Sequence, residues 1–289
     1  MRGFTKKIAS VVLALTLVIG LATSASAAVW DGYFGANDGS FWEGATGTMG
    51  TNTAKAFTAR MTSVGWGGVW GCQVKRPYSF VKGKTYVLSF NAKSTKANKY
   101  IYVKMAKGLK NAPYTTTNFA KGFWVKLPKG KTVKVNEVFK AADLGDMISF
   151  GLGGEAGDRD GSDEDAAVRY GIFEKQFKLK RNQLGTLDCD GDFSSVTDIS
   201  VTDFSLTTAA TKVKFSAKAK GKKKVKVTLK KAAGIKTFEI KVGKVKKKTT
   251  KTKITIKAKK KGKQKVQVRG ISADKAYKTK WASKKVKVK

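Results

Sequence analysis

Residues 85–94 read TYVLSFNAKS, and their alternation decides the fold. Tyr86, Leu88 and Phe90 fall on one side of an extended chain and Val87, Ser89 and Asn91 on the other, the period of two expected when one face of a strand meets a core. The same period recurs downstream. In KYIYVKMA (99–106) the apolar set is Ile101, Val103 and Met105, opposite Tyr100, Tyr102 and Lys104. In KGFWVKL (121–127) Phe123, Val125 and Leu127 point inward, which turns Trp124 and Lys126 away from them. ISFGLGG (148–154) supplies Ile148, Phe150 and Leu152, and DISVTDFSL (198–206) closes the series. Turns rich in Gly, Asn, Asp and Lys separate these runs, and between 50 and 206 no stretch reads as a helix of four turns. Short strands at this spacing predict an all-β chain built on an antiparallel β-sandwich.

Charge marks where that sandwich ends. The 289 residues carry 59 Lys and Arg against 20 Asp and Glu, a net of +39. Residues 28–208 hold 24 cations and 18 acids, whereas residues 209–289 hold 32 and 2, so nearly all the imbalance lies in the last 81 residues. Five of the six Trp precede residue 209. The composition step near Thr207 to Lys212 therefore predicts a boundary between residues 28–208 and 209–289. The first 27 residues form neither part. A cationic MRGFTKK, the apolar IASVVLALTLVIGLA and the small-residue triplet Ala25-Ser26-Ala27 read as a secretory signal peptide. The apolar run is short of the roughly 20 residues that span a bilayer. The expectation is a secreted or extracellular protein, possible cell-wall association included, with no membrane span after cleavage. An uncleaved anchor is the rival reading.

The chain has no His, which removes the commonest general base and metal ligand. Its two Cys, Cys72 and Cys189, either bridge across a long loop or stay buried as thiols. Strand phase raises a further question in the first part. Tyr100, Tyr102 and Trp124 lie on the polar side of their strands, and flat amphipathic rings beside planar amides suit the C–H face and hydroxyl rim of a sugar. The bland reading is that both sheet faces are covered and the rings are simply packed. Parity alone leaves both open. In GWGGVWGCQV (65–74) it places Trp70 with Cys72 and Val74 in the core and turns Gln73 the other way, while Trp66 lies in a glycine-flanked loop.

Taken in order, GWGGVWGCQV, then VKGKTYVLSFNAKSTKANKYIYVKMA, ISFGLGG and ISVTDFSL resemble the secreted carbohydrate-binding modules of the cellulose- and xylan-binding type, across roughly residues 30–206. The resemblance implies a jelly-roll sandwich that binds polysaccharide on a concave sheet face. The implied ligand contacts are Trp124, Tyr100, Tyr102, Gln73 and Trp66. It also implies a structural calcium held in part by Asp203 of VTDFSL. Two features depart from the family: the opening VWDGYFGANDGSFWEGATGTMG is no clear match, and the segment 155–183 is longer and more charged than a hairpin requires.

Two acidic clusters, Asp158, Asp160, Asp163, Glu164 and Asp165, then Asp188, Asp190 and Asp192, carry the oxygen chemistry of calcium, but neither has EF-hand spacing. A solvated acidic turn is the alternative for the first. Glycoside hydrolysis needs two carboxyls across a cleft, one of them with a raised pKa. Glu137 in VNEVF is the one carboxylate clearly inside a strand pattern, so no catalytic residue is expected and the protein reads as a non-enzyme.

From residue 209 Lys alternates with β-branched residues. Val225, Val227 and Leu229, then Phe238, Ile240 and Val242, then Ile254 and Ile256, then Val266 and Val268 keep period two, which a disordered basic tail would not. The order KVTL, FEI, TKI, VQVR and WASK, with the ending AYKTKWASKKVKVK, resembles a fibronectin type III-like domain of bacterial surface proteins. Its lysines, past a signal peptide, would meet wall teichoic acids, acidic polysaccharides or anionic headgroups rather than nucleic acid, so electrostatic retention at anionic wall polymer is the expected role. A spacer kept soluble by its charge is the alternative. The whole reads as a secreted polysaccharide-binding protein, for a plant-wall β-glycan such as cellulose, xylan or mannan. A surface adhesin or structural wall protein without sugar binding is the other class.

Overall fold

A computed structural model describes residues 29–34, 44–65, 68–106, 119–154, 164–178, 190–273 and 275–289. In chain order the first ten strands are β1 (Asp31–Phe34), β2 (Ala45–Thr53), β3 (Ala56–Val64), β4 (Cys72–Phe80), β5 (Thr85–Ser94), β6 (Lys99–Ala106), β7 (Phe119–Leu127), β8 (Thr132–Lys140), β9 (Gly145–Gly151) and β10 (Asp198–Thr208). They form two five-stranded sheets, ordered β1-β4-β9-β6-β7 and β2-β3-β10-β5-β8. Every pairing is antiparallel, as the alternation of TYVLSFNAKS requires.

The facing sides of these sheets enclose one core. Tyr86, Leu88 and Phe90 of β5, Ile101, Val103 and Met105 of β6, and Phe123, Val125 and Leu127 of β7 all enter it, with Ile148, Phe150 and Leu152. These are the faces that parity assigned. Trp30, in the segment with no clear family match, lies at the centre, edge-on to Phe204 at 4.9 Å and 5.0 Å from Phe57. Its indole N–H donates to the Thr53 carbonyl at 2.9 Å, so the ring is buried without an orphaned donor.

Two helices accompany the strands: α1 (Glu164–Phe177) and α2 (Asp190–Ser194). The sequence reading foresaw neither. Tyr170, Phe173 and Phe177 are spaced three and four apart, as on one face of a helix, but Gly171 interrupts the run with a residue that costs about 1 kcal/mol in a helix interior.

The strands from Phe215 onward make a second, smaller antiparallel sandwich. They are β11 (Phe215–Ala219), β12 (Lys224–Leu229), β13 (Thr237–Val242), β14 (Val245–Thr249), β15 (Lys253–Lys257), β16 (Gly262–Ile271) and β17 (Ala282–Val288). One sheet has the order β11-β12-β15 and the other β14-β13-β16-β17. Val225, Val227, Leu229, Phe238, Ile240, Val242, Ile256, Val266 and Val268 fill the core between them. Among the described residues no helix is long and apolar enough to cross a membrane.

Candidate functional site

The outer face of the sheet β1-β4-β9-β6-β7 carries an aligned row of side chains. Tyr33 pairs with Gln73, Gln73 with Gly151, Gly151 with Tyr102 and Tyr102 with Trp124, so one row crosses all five strands. Tyr100 lies on the same face one step along β6, opposite Lys126. Parity thus placed Tyr100, Tyr102, Trp124 and Gln73 together on the side away from the core.

It did not foresee what covers them. Tyr100, Tyr102 and Trp124 are only 2, 1 and 2 % exposed, because α1 and α2 lie over this part of the sheet. Phe173 of α1 meets Tyr100 at 5.0 Å and Trp124 edge-on at 5.6 Å, and Phe193 of α2 stacks on Tyr100 at 4.9 Å. With Val69 and Tyr170 these rings form a second apolar cluster on the outside of the sheet. Polar groups fasten the cover. The Trp124 indole N–H donates to the Arg169 carbonyl at 3.0 Å. The Gln176 side chain accepts from the Trp124 backbone N–H at 2.8 Å and donates to its carbonyl at 3.2 Å, acting as one residue of an added strand along the edge strand β7. The expectation that these three rings stand exposed is corrected: their phase is right, but the opposite face is itself a packed layer.

Trp70 also differs from its expected place. It ends a single 3-10 turn, Gly68–Trp70, and β4 begins only at Cys72. Strand parity does not extend backward through a turn, so the ring joins the outer cluster while Cys72 and Val74 enter the core. There it is half-buried, edge-on to Tyr102 at 5.9 Å, with the Lys104 ammonium at 5.2 Å and the Arg169 guanidinium at 5.4 Å from its centre. Gly151 makes room for it, since a Cβ there would come within 3.2 Å of the indole and 3.1 Å of Val69. The half-buried Gln73 donates to the Trp70 carbonyl at 2.9 Å and so fixes the turn. Tyr33 is half-buried at the far end of the row, with the Lys75 ammonium 6.0 Å from its ring. Where the helices leave the face partly open, the groups present are Trp70, Gln73 and Tyr33. Trp66 lies outside the described residues.

Below this surface Lys99 is fully buried and aims its ammonium at three backbone carbonyls: Gly153 at 2.8 Å, Ser195 at 3.0 Å, and Phe193. Burial pushes it down to about 7, against a smaller upward pull from Cys72. Phe193 and Ser195 belong to the end of α2 and the residue after it, so one side chain ties the cover to the sheet.

Asp203 has φ 53° at a bulge between Thr202 and Ser205, and its carboxylate accepts from Asn91 Nδ2 at 2.6 Å. Among the described residues no group of three or more His, Cys, Asp or Glu converges. Most of the first acidic cluster, Asp188 and Cys189 lie outside the described residues, so the bridge to Cys72 does too. Glu137 is half-buried on β8, the edge of the other sheet.

Several solved structures align with parts of this chain. No protein-family model and no curated protein matches the chain. A structure described as CBM4 aligns with TM-score 0.40 at 17 % identity, over 62 % of this chain and 86 % of its own. The N-terminal cellulose-binding domain of Cellulomonas fimi β-1,4-glucanase C aligns with TM-score 0.34 at 17 % identity, over 63 and 89 %. The adhesin domain of Epf from Streptococcus pyogenes aligns with TM-score 0.28 at 11 % identity, over 84 and 80 %. Likeness at this level says nothing of a ligand.

Proposed function

We propose that this is a secreted, non-catalytic polysaccharide-binding protein. Its first sandwich takes a plant-wall β-glycan such as cellulose, xylan or mannan, and its basic second sandwich, of fibronectin type III-like kind, retains it at anionic wall polymer. The observation that carries the reading is the row Tyr33, Gln73, Tyr102 and Trp124 across one sheet face, with the half-buried Trp70 packed against Tyr102 and beside the Gln73 amide. A sugar ring would stack on Trp70 and bond to Gln73, while Tyr100, Tyr102 and Trp124 support the platform from beneath.

Burial of those three rings favours a second reading, in which the sandwich is a structural or adhesive module that binds no sugar. A glycan screen separates the two. Trp70→Ala, and separately Trp66→Ala four residues earlier in the sequence, should each lower affinity for the best-bound glycan about tenfold, the worth of one good aromatic contact. If no glycan binds, or both variants bind like the parent, the adhesive reading replaces the first. Sustained release of reducing sugar from the bound polymer, lost in Glu137→Gln, would overturn the non-catalytic assignment.

A further inference from the structure

The second sandwich sets like charges directly opposite one another. On the outer face of β14-β13-β16-β17, Lys241 pairs in register with Lys246, Lys263 with Lys287 and Lys265 with Lys285. On the other sheet Lys218 faces Lys226 and Lys224 faces Lys257. Directly opposed like charges destabilise a strand pair. A sequence needing only solubility could stagger them or alternate their sign.

Little inside the sandwich compensates. Residues 209–289 hold two acids, Glu239 and Asp274, and Asp274 lies outside the described residues. The Glu239 side chain is 1 % exposed and ion-paired to two cations, with Lys246 Nζ and Arg269 Nη2 each at 2.6 Å from its carboxylate. Burial alone would raise its pKa, but the hydrogen bonds and charges of Lys246 and Arg269 outweigh that and hold it below the usual range. Arg269, the one Arg of this segment, is thus turned to Glu239 and to the Trp281 ring, 4.6 Å away, with Lys241 at the same distance from that ring.

What remains facing outward on the β16–β17 side is a block of four exposed ammoniums, Lys263, Lys265, Lys285 and Lys287. Strand geometry spaces their Cα atoms about 5 Å apart across the ladder and about 7 Å along it. Lys is a point charge with rotatable donors and lacks the planar fork by which Arg fixes one carboxylate or phosphate in register. Such a lattice suits an extended chain carrying one negative charge per repeat, held without fixed register.

We propose that this face binds an acidic polysaccharide, a chain of uronate units whose carboxylates lie among the opposed lysines, and that binding relieves their repulsion and so stabilises the second sandwich. The proposal rests on the reading of this sandwich as a holder of anionic wall polymer, and it names the face and the occupant. A uronate chain is chosen because the first sandwich is read as a glycan binder, so one class of polymer would engage both.

The test uses the full chain with polygalacturonate, its fully methyl-esterified form, a glycerol phosphate polymer and duplex DNA, at about 50 mM salt and above. Lys263→Gln/Lys265→Gln should raise the thermal midpoint of the second sandwich when no polymer is present, yet weaken polygalacturonate binding about tenfold and flatten its salt dependence. Lys224→Gln/Lys226→Gln, on the other sheet, should relieve repulsion equally and leave affinity unchanged. Esterified polymer should not bind. Equal loss in both variants, or none in the first, overturns the face; equal binding of the esterified form overturns the electrostatic mechanism. Tighter binding of the phosphate polymer or DNA overturns the uronate chain as occupant. If no anionic polymer binds at all, the retention reading itself fails.

Discussion

Lys99 shows how one residue couples burial, charge and the position of a whole element. Its ammonium serves three carbonyls, two of them at the end of α2, where cationic charge is favoured by the helix carbonyls. Burial nonetheless lowers its pKa to about 7 from the 10.5 of an open chain. The sign follows from proton counts. Below 7 both folded and unfolded chains hold the proton; between 7 and about 10.5 the unfolded chain holds one that the folded chain has released, so this group makes stability rise with pH across that window. Lys99→Met removes the titration and leaves the carbonyls without their donor. The variant should be less stable at every pH, and the parent's gain in urea midpoint between pH 6 and pH 9, followed by buried tryptophan signal, should vanish in it. A parent whose midpoint is flat over that range would refute the shift.

At the level of elements, α1 is what turned an exposed sheet face into a second packed layer. Phe173 is its anchor, fully buried among Tyr100, Trp124, Phe177 and Phe193. Phe173→Ala should cost about 3–5 kcal/mol, the usual range for emptying a buried aromatic site. Because the outer cluster is separate from the core between the sheets, the loss should be local. Amide exchange across residues 168–177 should accelerate by orders of magnitude while β5 and β9 stay protected. Uniform loss of protection would mean that the two clusters are one cooperative unit. This layering also explains what the sequence could and could not convey. Strand identity and inward phase were legible because Leu88, Val103 and Phe150 alternate with polar residues around them. The burial of Tyr102 and Trp124 was not, because alternation reports which side a ring takes and never what lies upon that side. Trp70 was misplaced for a different reason, since it belongs to the 3-10 turn before β4 and strand phase starts only at Cys72.

Over the whole molecule the charge is divided as sharply as the fold. Residues 28–208 are nearly balanced, with 24 cations and 18 acids, while residues 209–289 hold 32 and 2. The second sandwich therefore folds against its own field, with a modest core of Val, Ile, Leu and Phe to oppose it. The lysine–lysine registers make this repulsion short-range as well as global, since the strands that carry each pair lie about 5 Å apart, well inside the Debye length of ~10 Å at 0.1 M salt. Salt should therefore act on the two sandwiches unequally. Raising NaCl from about 20 to about 500 mM shortens that length roughly fivefold, which should lift the thermal midpoint of the second sandwich by several degrees. The transition of the first, reported by Trp30 and Trp124 deep in its two clusters, should move far less. Equal shifts in both would trace the effect to general salting-out of apolar surface, and a fall in the second midpoint would show that its lysines are already neutralised within the fold.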